Sequence, residues 1–470
     1  MNKLAKLVQN VGLLTLSNFG SKVLVFLLVP LYTSVLTTEQ YGTYDLLYSS
    51  VQLLFPLLTL NIVDAVTRFS LDGGSGRAGV LKVGGTFLFV SFVLVLTGLV
   101  GTVGLKSTQL VDGYRVDVLL LYLSFGAYQL MTQFARGVDR VFEFAVAGVL
   151  NTASMLILNI VFLTKLDLGL HGFFLANSIS MALPTIYLVV RLRSYIFTRE
   201  KYGTELTKNM VAYSAPLLFT TLGWWIINLS NRFVVTGFCG LAENGLYSVA
   251  SKIPAILNVI QVVIVQAWLI SAVKEFDKSD SDGFFENTYK CINTMMVLTC
   301  SVLITLTPAI ARILFADEFY GAWIYVPFSL IFIVFNTMSG VWGGIFSSVK
   351  DTRSIAVTSV VSSIINVVLS IILVRAIGAQ GAAIASMVSG FVIWIMRAHY
   401  VKMHIDSDFD NRRSLVMYGM LILQASLMIN TGPTVLGEAL SMIVLMALIA
   451  VNQNTIKKIH RKTLNLLVRR

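Results

Sequence analysis

A chain of 470 residues with 56% hydrophobic and only 13% charged side chains is far more apolar than a soluble domain, whose charged fraction is typically about 25%. That composition excludes a water-soluble enzyme and makes the chain an integral membrane protein. The net charge of +11 does not point to nucleic acid, because the positive residues gather at the ends of apolar runs, where membrane orientation places them.

Runs long enough to cross about 30 Å of hydrocarbon stand at roughly 10–36, 42–66, 81–105, 116–135, 143–164, 169–190, 212–238, 245–271, 291–314, 322–347, 354–374, 379–399, 414–430 and 436–452. The expected fold class is all-α and polytopic, with about 14 transmembrane helices. The first run is too long for the apolar core of a signal peptide and lacks a small-residue cleavage site, so it reads as the first helix. A cytoplasmic N-terminus leaves only Lys106, Arg115, Lys165, Arg312 and Arg375 outside, which predicts that both termini are cytoplasmic.

Within the first run, Asn18 and Lys22 share a helical face, and Lys22 lies about a dozen residues from either end. A cation in hydrocarbon costs roughly 2.5–3.5 kcal/mol, so Lys22 either faces a watery cavity or pairs with Asp45 or Asp64 of the second run. The fourth run ends in Gln129, Gln133, Arg136 and Arg140, spaced like one helical face. The two arginines are either topology charges or the inner mouth of a cavity, and a guanidinium fork suits phosphate oxygens.

The charged connection 191–211 follows the sixth run and reads as a linker between two halves. Beyond it, Thr221, Trp224, Asn228 and Arg232 recur at intervals of 3, 4 and 4 on the seventh run, beside Trp225. A polar stripe on an apolar helix faces protein or water. Arg232 by itself is also compatible with snorkelling to the headgroups, but the stripe continues inward past Asn228. Lys252 on the eighth run poses the same choice. Lys22, Arg232 and Lys252 all lie in runs that hold no carboxylate, and a cavity lined by them implies an anionic cargo.

Two D-x-D patterns, Asp280-Ser281-Asp282 and Asp406-Ser407-Asp408, lack a nucleotide-binding domain around them, and Asn411 stands where a calcium loop needs glycine. No metal site, cofactor or catalytic constellation is expected. Cys239, Cys291 and Cys300 show no paired spacing.

An internal repeat supports two halves. Gly42-Thr43-Tyr44 matches Gly245-Leu246-Tyr247, and Gly169-Leu170-His171-Gly172 matches Gly378-Ala379-Gln380-Gly381, with Ala176/Ala385 and Ser180/Ser389 following in register. The expected organisation is a six-helix lobe at 1–195, a cytoplasmic linker at 196–210, a second six-helix lobe at 211–402, and two further helices with a basic tail at 403–470.

On Ser17-Asn18-Phe19-Gly20-Ser21-Lys22, Glu39 to Tyr44, Arg68-Phe69, Asn231-Arg232-Phe233, Gly245-Leu246-Tyr247 with Ser251-Lys252-Ile253, and Gly378 to Ala385, the chain resembles the polysaccharide transporter family. These are the oligosaccharide flippases of the multidrug/oligosaccharidyl-lipid/polysaccharide exporter superfamily. The position before Arg232 is often Asp in that family and is Asn231 here.

The resemblance implies a plasma-membrane flippase, not an enzyme, that moves lipid diphosphate-linked oligosaccharide by alternating access. Its implied partners are that cargo, membrane lipids and other polysaccharide-assembly proteins, with no nucleic acid. The expected cargo-binding residues are Lys22, Asn18, Arg232, Asn228, Lys252, Trp224, Arg136 and Arg140, with Asp45 or Asp64 coupling an ion. A multidrug exporter would instead need a carboxylate-lined cavity, and a polymerase or ligase a sizeable outer loop.

Overall fold

Among the described residues, eleven helices are each long and apolar enough to cross a membrane, and two bent pairs do so when each is taken as one span. The computed structural model describes residues 26, 28–71, 76–103, 109–196, 198, 203–406 and 409–468. Most of the first expected run lies outside these residues, and so do Asn18 and Lys22.

The helices that matter for function are α1 (Val29–Val35), α2 (Thr38–Leu58), α3 (Ile62–Leu71), α4 (Arg77–Gly101), α5 (Arg115–Gly137), α6 (Val141–Ile160), α7 (Gly169–Arg191) and α8 (Thr204–Cys239). They continue with α9 (Leu241–Ala250), α10 (Lys252–Lys274), α11 (Phe284–Leu314), α12 (Val326–Ser348), α13 (Thr352–Ile377), α14 (Gln380–Val401), α15 (Asn411–Thr431) and α16 (Val435–Val468).

Three expected spans are modified by local chemistry. The run 42–66 is not one helix: α2 and α3 meet at a 59° bend. Pro56 has no N–H to donate inside α2, and Leu60 and Asn61 adopt left-handed backbone with φ of 51° and 54°, which no helix tolerates. The run 245–271 is likewise divided at Ser251, because Pro254 removes a donor from the first turn of α10. The seventh run is part of the longer α8, which bends by 49° between Gly223 and Trp225.

The chain forms two compact units, Met1–Leu229 and Ser230–Arg470, so the division falls within α8. In the first unit α7 packs on both α5 and α6. In the second, α14 packs on both α12 and α13. The same turn device opens both hairpins. Gly169 and Gly378 have φ of 52° and 70°, in the left-handed region where glycine carries no Cβ penalty. Three residues on, Gly172 and Gly381 have no space for a Cβ: it would meet Leu168 in one unit and the Leu373 backbone in the other. Ala176, Ser180, Ala385 and Ser389 are all buried behind these turns.

Both cores hold clustered rings, and the second adds a buried polar seam. On α2, Tyr44 stacks on Tyr48 at 5.7 Å and meets Phe173 and Phe174 edge-on at 4.4 and 5.0 Å, while Tyr32 stacks on Tyr41 at 4.8 Å. In the second unit, α11, α15 and α16 are joined by a polar seam. Buried Gln424 donates to the Ser301 carbonyl at 3.1 Å and to the Ser441 hydroxyl at 2.9 Å, and accepts from the Ser301 hydroxyl at 2.7 Å. The Thr294 hydroxyl donates to Asn452 Oδ1 at 2.8 Å, and Asn293 Nδ2 to the Ser414 hydroxyl at 2.9 Å. In a bilayer such bonds contribute roughly 0.6 kcal/mol each, so the last two helices are hydrogen-bonded into the unit.

Candidate functional site

In the first unit the two expected ion-coupling carboxylates are set apart by the α2/α3 break. Asp45 is buried on α2, only 7% exposed, within the stretch that carries Tyr41, Tyr44 and Tyr48. Thirteen residues of helix, about 20 Å at 1.5 Å per residue, separate it from Leu58, the end of α2. Asp64 lies beyond the break in the first turn of α3, exposed, and accepts from Asn61 Nδ2 at 2.8 Å.

The polar row of α5 runs to the end of the helix. Gln133 Oε1 accepts from the Thr67 hydroxyl at 3.2 Å and from Arg136 Nη1 at 3.2 Å. The exposed Arg136 guanidinium stands 5.5 Å from the centre of the Phe144 ring. Arg140 is exposed just past α5 and donates to Glu143 at 3.3 Å, and Arg191 approaches the same carboxylate at 4.0 Å. Arg136 and Arg140 are thus each engaged at the helix end.

On α8, Trp225 Nε1 donates to the Ser49 carbonyl of α2 at 3.2 Å. Asn228 is exposed, and the side chain of Trp224 lies outside the described residues. Arg232 is half-buried four residues on, and its carbonyl accepts from the Thr236 hydroxyl at 2.8 Å.

In the second unit Asn231 does not act as a stand-in for a carboxylate beside Arg232. It is buried, and its Nδ2 lies 2.7 Å from the Ser386 hydroxyl, 3.2 Å from the Tyr247 hydroxyl and 3.3 Å from the Ala382 carbonyl. Asn366 donates to the Ser386 and Ser389 hydroxyls at 3.3 and 3.2 Å. This knot ties α8 and α9 to α13 and α14. Lys252 is half-buried as the first residue of α10, at the joint that Pro254 creates.

Sequence reasoning missed Arg397. It sits near the end of α14, where an arginine reads as a topology charge, yet it is only 7% exposed. Its Nε donates to the Thr358 hydroxyl at 3.0 Å, Nη1 to the Ser339 carbonyl at 2.8 Å and Nη2 to the Ser359 hydroxyl at 3.0 Å. Neutral oxygens from α12 and α13 thus solvate a buried cation. The available signal was the hydroxyl-rich face of Thr358, Ser359, Ser362 and Ser363.

Neither D-x-D pattern gathers ligands among the described residues, where no three His, Cys, Asp or Glu side chains converge on a possible metal position. Asp280 instead caps α11, accepting from the Phe285 and Glu286 backbone at 2.9 and 3.0 Å. Asp277 accepts from Ser279 and Ser281, bonds that hold its carboxyl well below the usual carboxylate range. The Asp406 N–H donates to the Lys278 carbonyl at 2.8 Å, and Asp408 lies outside the described residues.

The spans, the cations within them and the two compact units define an all-helical, multi-pass membrane protein. Its fold is similar to that of the lipid II flippase MurJ in an inward closed conformation, with a TM-score of 0.70 and 14% identity over 96% of this chain and 99% of that one. It is also similar to an inward-facing multidrug resistance MATE family transporter of the MOP superfamily, with a TM-score of 0.66 and 14% identity over 85% of this chain and 96% of that one. The chain belongs to the polysaccharide biosynthesis protein family, whose model matches residues 7–270. A relative in Haloferax volcanii, the probable low-salt glycan biosynthesis flippase Agl15, is 21% identical over 230 residues. That match spans 46% of this chain and about half, 48%, of the relative.

Proposed function

We propose that this protein is a flippase of the plasma membrane that carries lipid diphosphate-linked oligosaccharide from the inner to the outer leaflet by alternating access between its two lobes, with both termini cytoplasmic. The observation that carries the reading is the family match over residues 7–270. It covers Arg232 and Lys252, cations in apolar spans whose charge suits the diphosphate rather than a cationic drug. Arg232 offers a planar donor fork to phosphate oxygens, and Lys252 a point charge. Lys22, Asn18, Arg136, Arg140, Trp224 and Asn228 are further proposed cargo contacts, of which Lys22, Asn18 and the Trp224 side chain lie outside the described residues. Asp45, the buried carboxylate, is the coupling candidate favoured over the exposed Asp64.

The test is reconstitution of the full chain in proteoliposomes with a labelled polyprenyl diphosphate oligosaccharide, read as label reaching the opposite leaflet. Transfer that depends on the protein and falls when Arg232 and Lys252 are both changed to Ala supports the reading. Gradient-driven transport of a cationic drug with no transfer of the lipid-linked glycan overturns it in favour of a multidrug exporter.

A further inference from the structure

Helix α10 carries three side-chain amides, Asn258, Gln261 and Gln266, in a span with mean hydropathy 2.1. None of the three has a hydrogen-bond partner among the described residues, and the Gln261 Oε1 is buried without one. Exposed hydroxyls on other spans are different: Thr97 returns to the Val93 carbonyl at 2.9 Å and Thr299 to the Met295 carbonyl at 2.8 Å, each within its own helix. An amide has more donors and acceptors than one backbone carbonyl satisfies, and facing hydrocarbon it is costly.

The geometry of α10 sorts its two sides. Val265 lies against Gly340 and Trp268 against Gly344, where a Cβ on either glycine would meet those side chains at 3.0 and 2.5 Å, and Trp268 Nε1 donates to the Val341 carbonyl at 2.8 Å. The two helices therefore run in the same direction, and one turn before these contacts Gln261 and Asn336 stand at the same level. Asn336 is half-buried and also has no hydrogen-bond partner among the described residues. On the opposite side, Ala255, Asn258, Val262, Gln266, Leu269 and Val273 form one exposed helical row.

That row has no charged residue. Its amides alternate with apolar side chains, which suits a ligand with neutral hydroxyls at its edges and C–H groups on its faces. Lys252 begins the same helix, about 9 Å before Asn258 and about 21 Å before Gln266, so charge is confined to one end of a run long enough for several sugar units. We propose that Asn258 and Gln266 form the sugar-reading row of α10, binding the uncharged hydroxyls of the glycan. This rests on the cargo being a lipid diphosphate-linked oligosaccharide.

The experiment uses the full chain in proteoliposomes with two probes, a polyprenyl diphosphate bearing one hexose and the same carrier bearing four. The double variant Asn258→Leu, Gln266→Leu should lose roughly tenfold in transfer of the four-sugar probe and stay within about twofold of wild type on the one-sugar probe. Equal loss on both probes, or none on either, overturns the proposal, the second result making the row a wall wetted by water only. Gln266→Leu alone, at an exposed position, gives the same comparison with a smaller loss if the double variant does not fold. If wild type moves neither probe, the flippase reading fails, whereas normal wild-type transfer with an unselective variant fails only the sugar-reading row.

Discussion

Both units pack rings between their membrane helices, but the second adds many more buried side-chain hydrogen bonds from helix to helix. In the first, rings pack on rings: Tyr44 touches Tyr48, Phe173 and Phe174, and the charged residues Asp64, Arg136 and Arg140 are exposed near helix ends. In the second, hydrogen bonds cross between helices at Asn231–Ser386, Gln424–Ser441 and Arg397–Ser339. Ring packing is tolerant of small slides, since dispersion is spread over many atoms. A buried hydrogen bond is directional and costly to leave unmade, so the second unit is the more closely specified of the two.

The sharpest way to break this comparison is to remove residues 403–470. If the polar seam is integral to the second unit, the truncated chain should fail to accumulate as folded protein, measured by membrane level and monodisperse elution. Normal accumulation would make α15 and α16 an appendage. Tyr44→Ala removes the centre of the ring cluster and should cost roughly 3–5 kcal/mol, read as the thermal midpoint in detergent; Tyr44→Phe should retain most of it. Arg397→Met keeps the aliphatic stem and deletes four hydrogen bonds, a loss of roughly 2 kcal/mol at the bilayer average. A midpoint equal to wild type would remove Arg397 from the set of bonds that define the second unit.

Arg232, just past the division between the units, tests function rather than packing. Arg232→Ala should lower transport roughly tenfold and Arg232→Lys less, because lysine keeps the charge and loses the fork. Two different glycans on one carrier should show the same loss if Arg232 holds the diphosphate; a defect confined to one glycan moves it to the sugars. The smallest effect is expected outside the bilayer. Asp351 caps α13 by accepting from the Ser354 backbone at 3.0 Å and hydroxyl at 2.6 Å, and meets His404 Nε2 at 2.9 Å. The Ser354 bonds, aided by His404, hold its carboxyl below the usual range. A depressed carboxylate stabilises the fold above its unfolded pKa of about 4 and loses that contribution as pH falls through the folded value. Thermal midpoints measured below pH 4 should therefore drop less, relative to pH 7, in Asp351→Asn than in wild type.

Span positions were legible because a hydrocarbon slab selects long apolar runs whatever they later pack against. The breaks were less so. Pro56 was visible, but the left-handed turn at Leu60 and Asn61, with its side-chain bond from Asn61 to Asp64, is reported by no periodicity. Among candidate site residues, Arg232, Lys252, Arg136 and Arg140 stood out as charges. Arg397 did not, since its burial needs α12 as well as its hairpin partner α13, and sequence order does not place α12 beside it. The α10 amides were hidden for a simpler reason: hydropathy averaged them into an apolar run. Asn231 was read against its sequence neighbour Arg232, although adjacent helical residues point about 100° apart and the amide belongs to Ser386.

The seam of α11 also has a consequence for synthesis. Ser301 meets Gln424 123 residues later in the chain and Thr294 meets Asn452 158 residues later. At about 5–20 residues per second, a ribosome needs roughly 6–25 s to supply Gln424 after Ser301 has been made, and longer for Asn452. Throughout that interval Ser301 and Thr294 of α11 lack these hydrogen-bond partners. Slower translation between 301 and 452 lengthens the wait, so the rate of elongation over this stretch becomes a determinant of how much protein reaches the folded state.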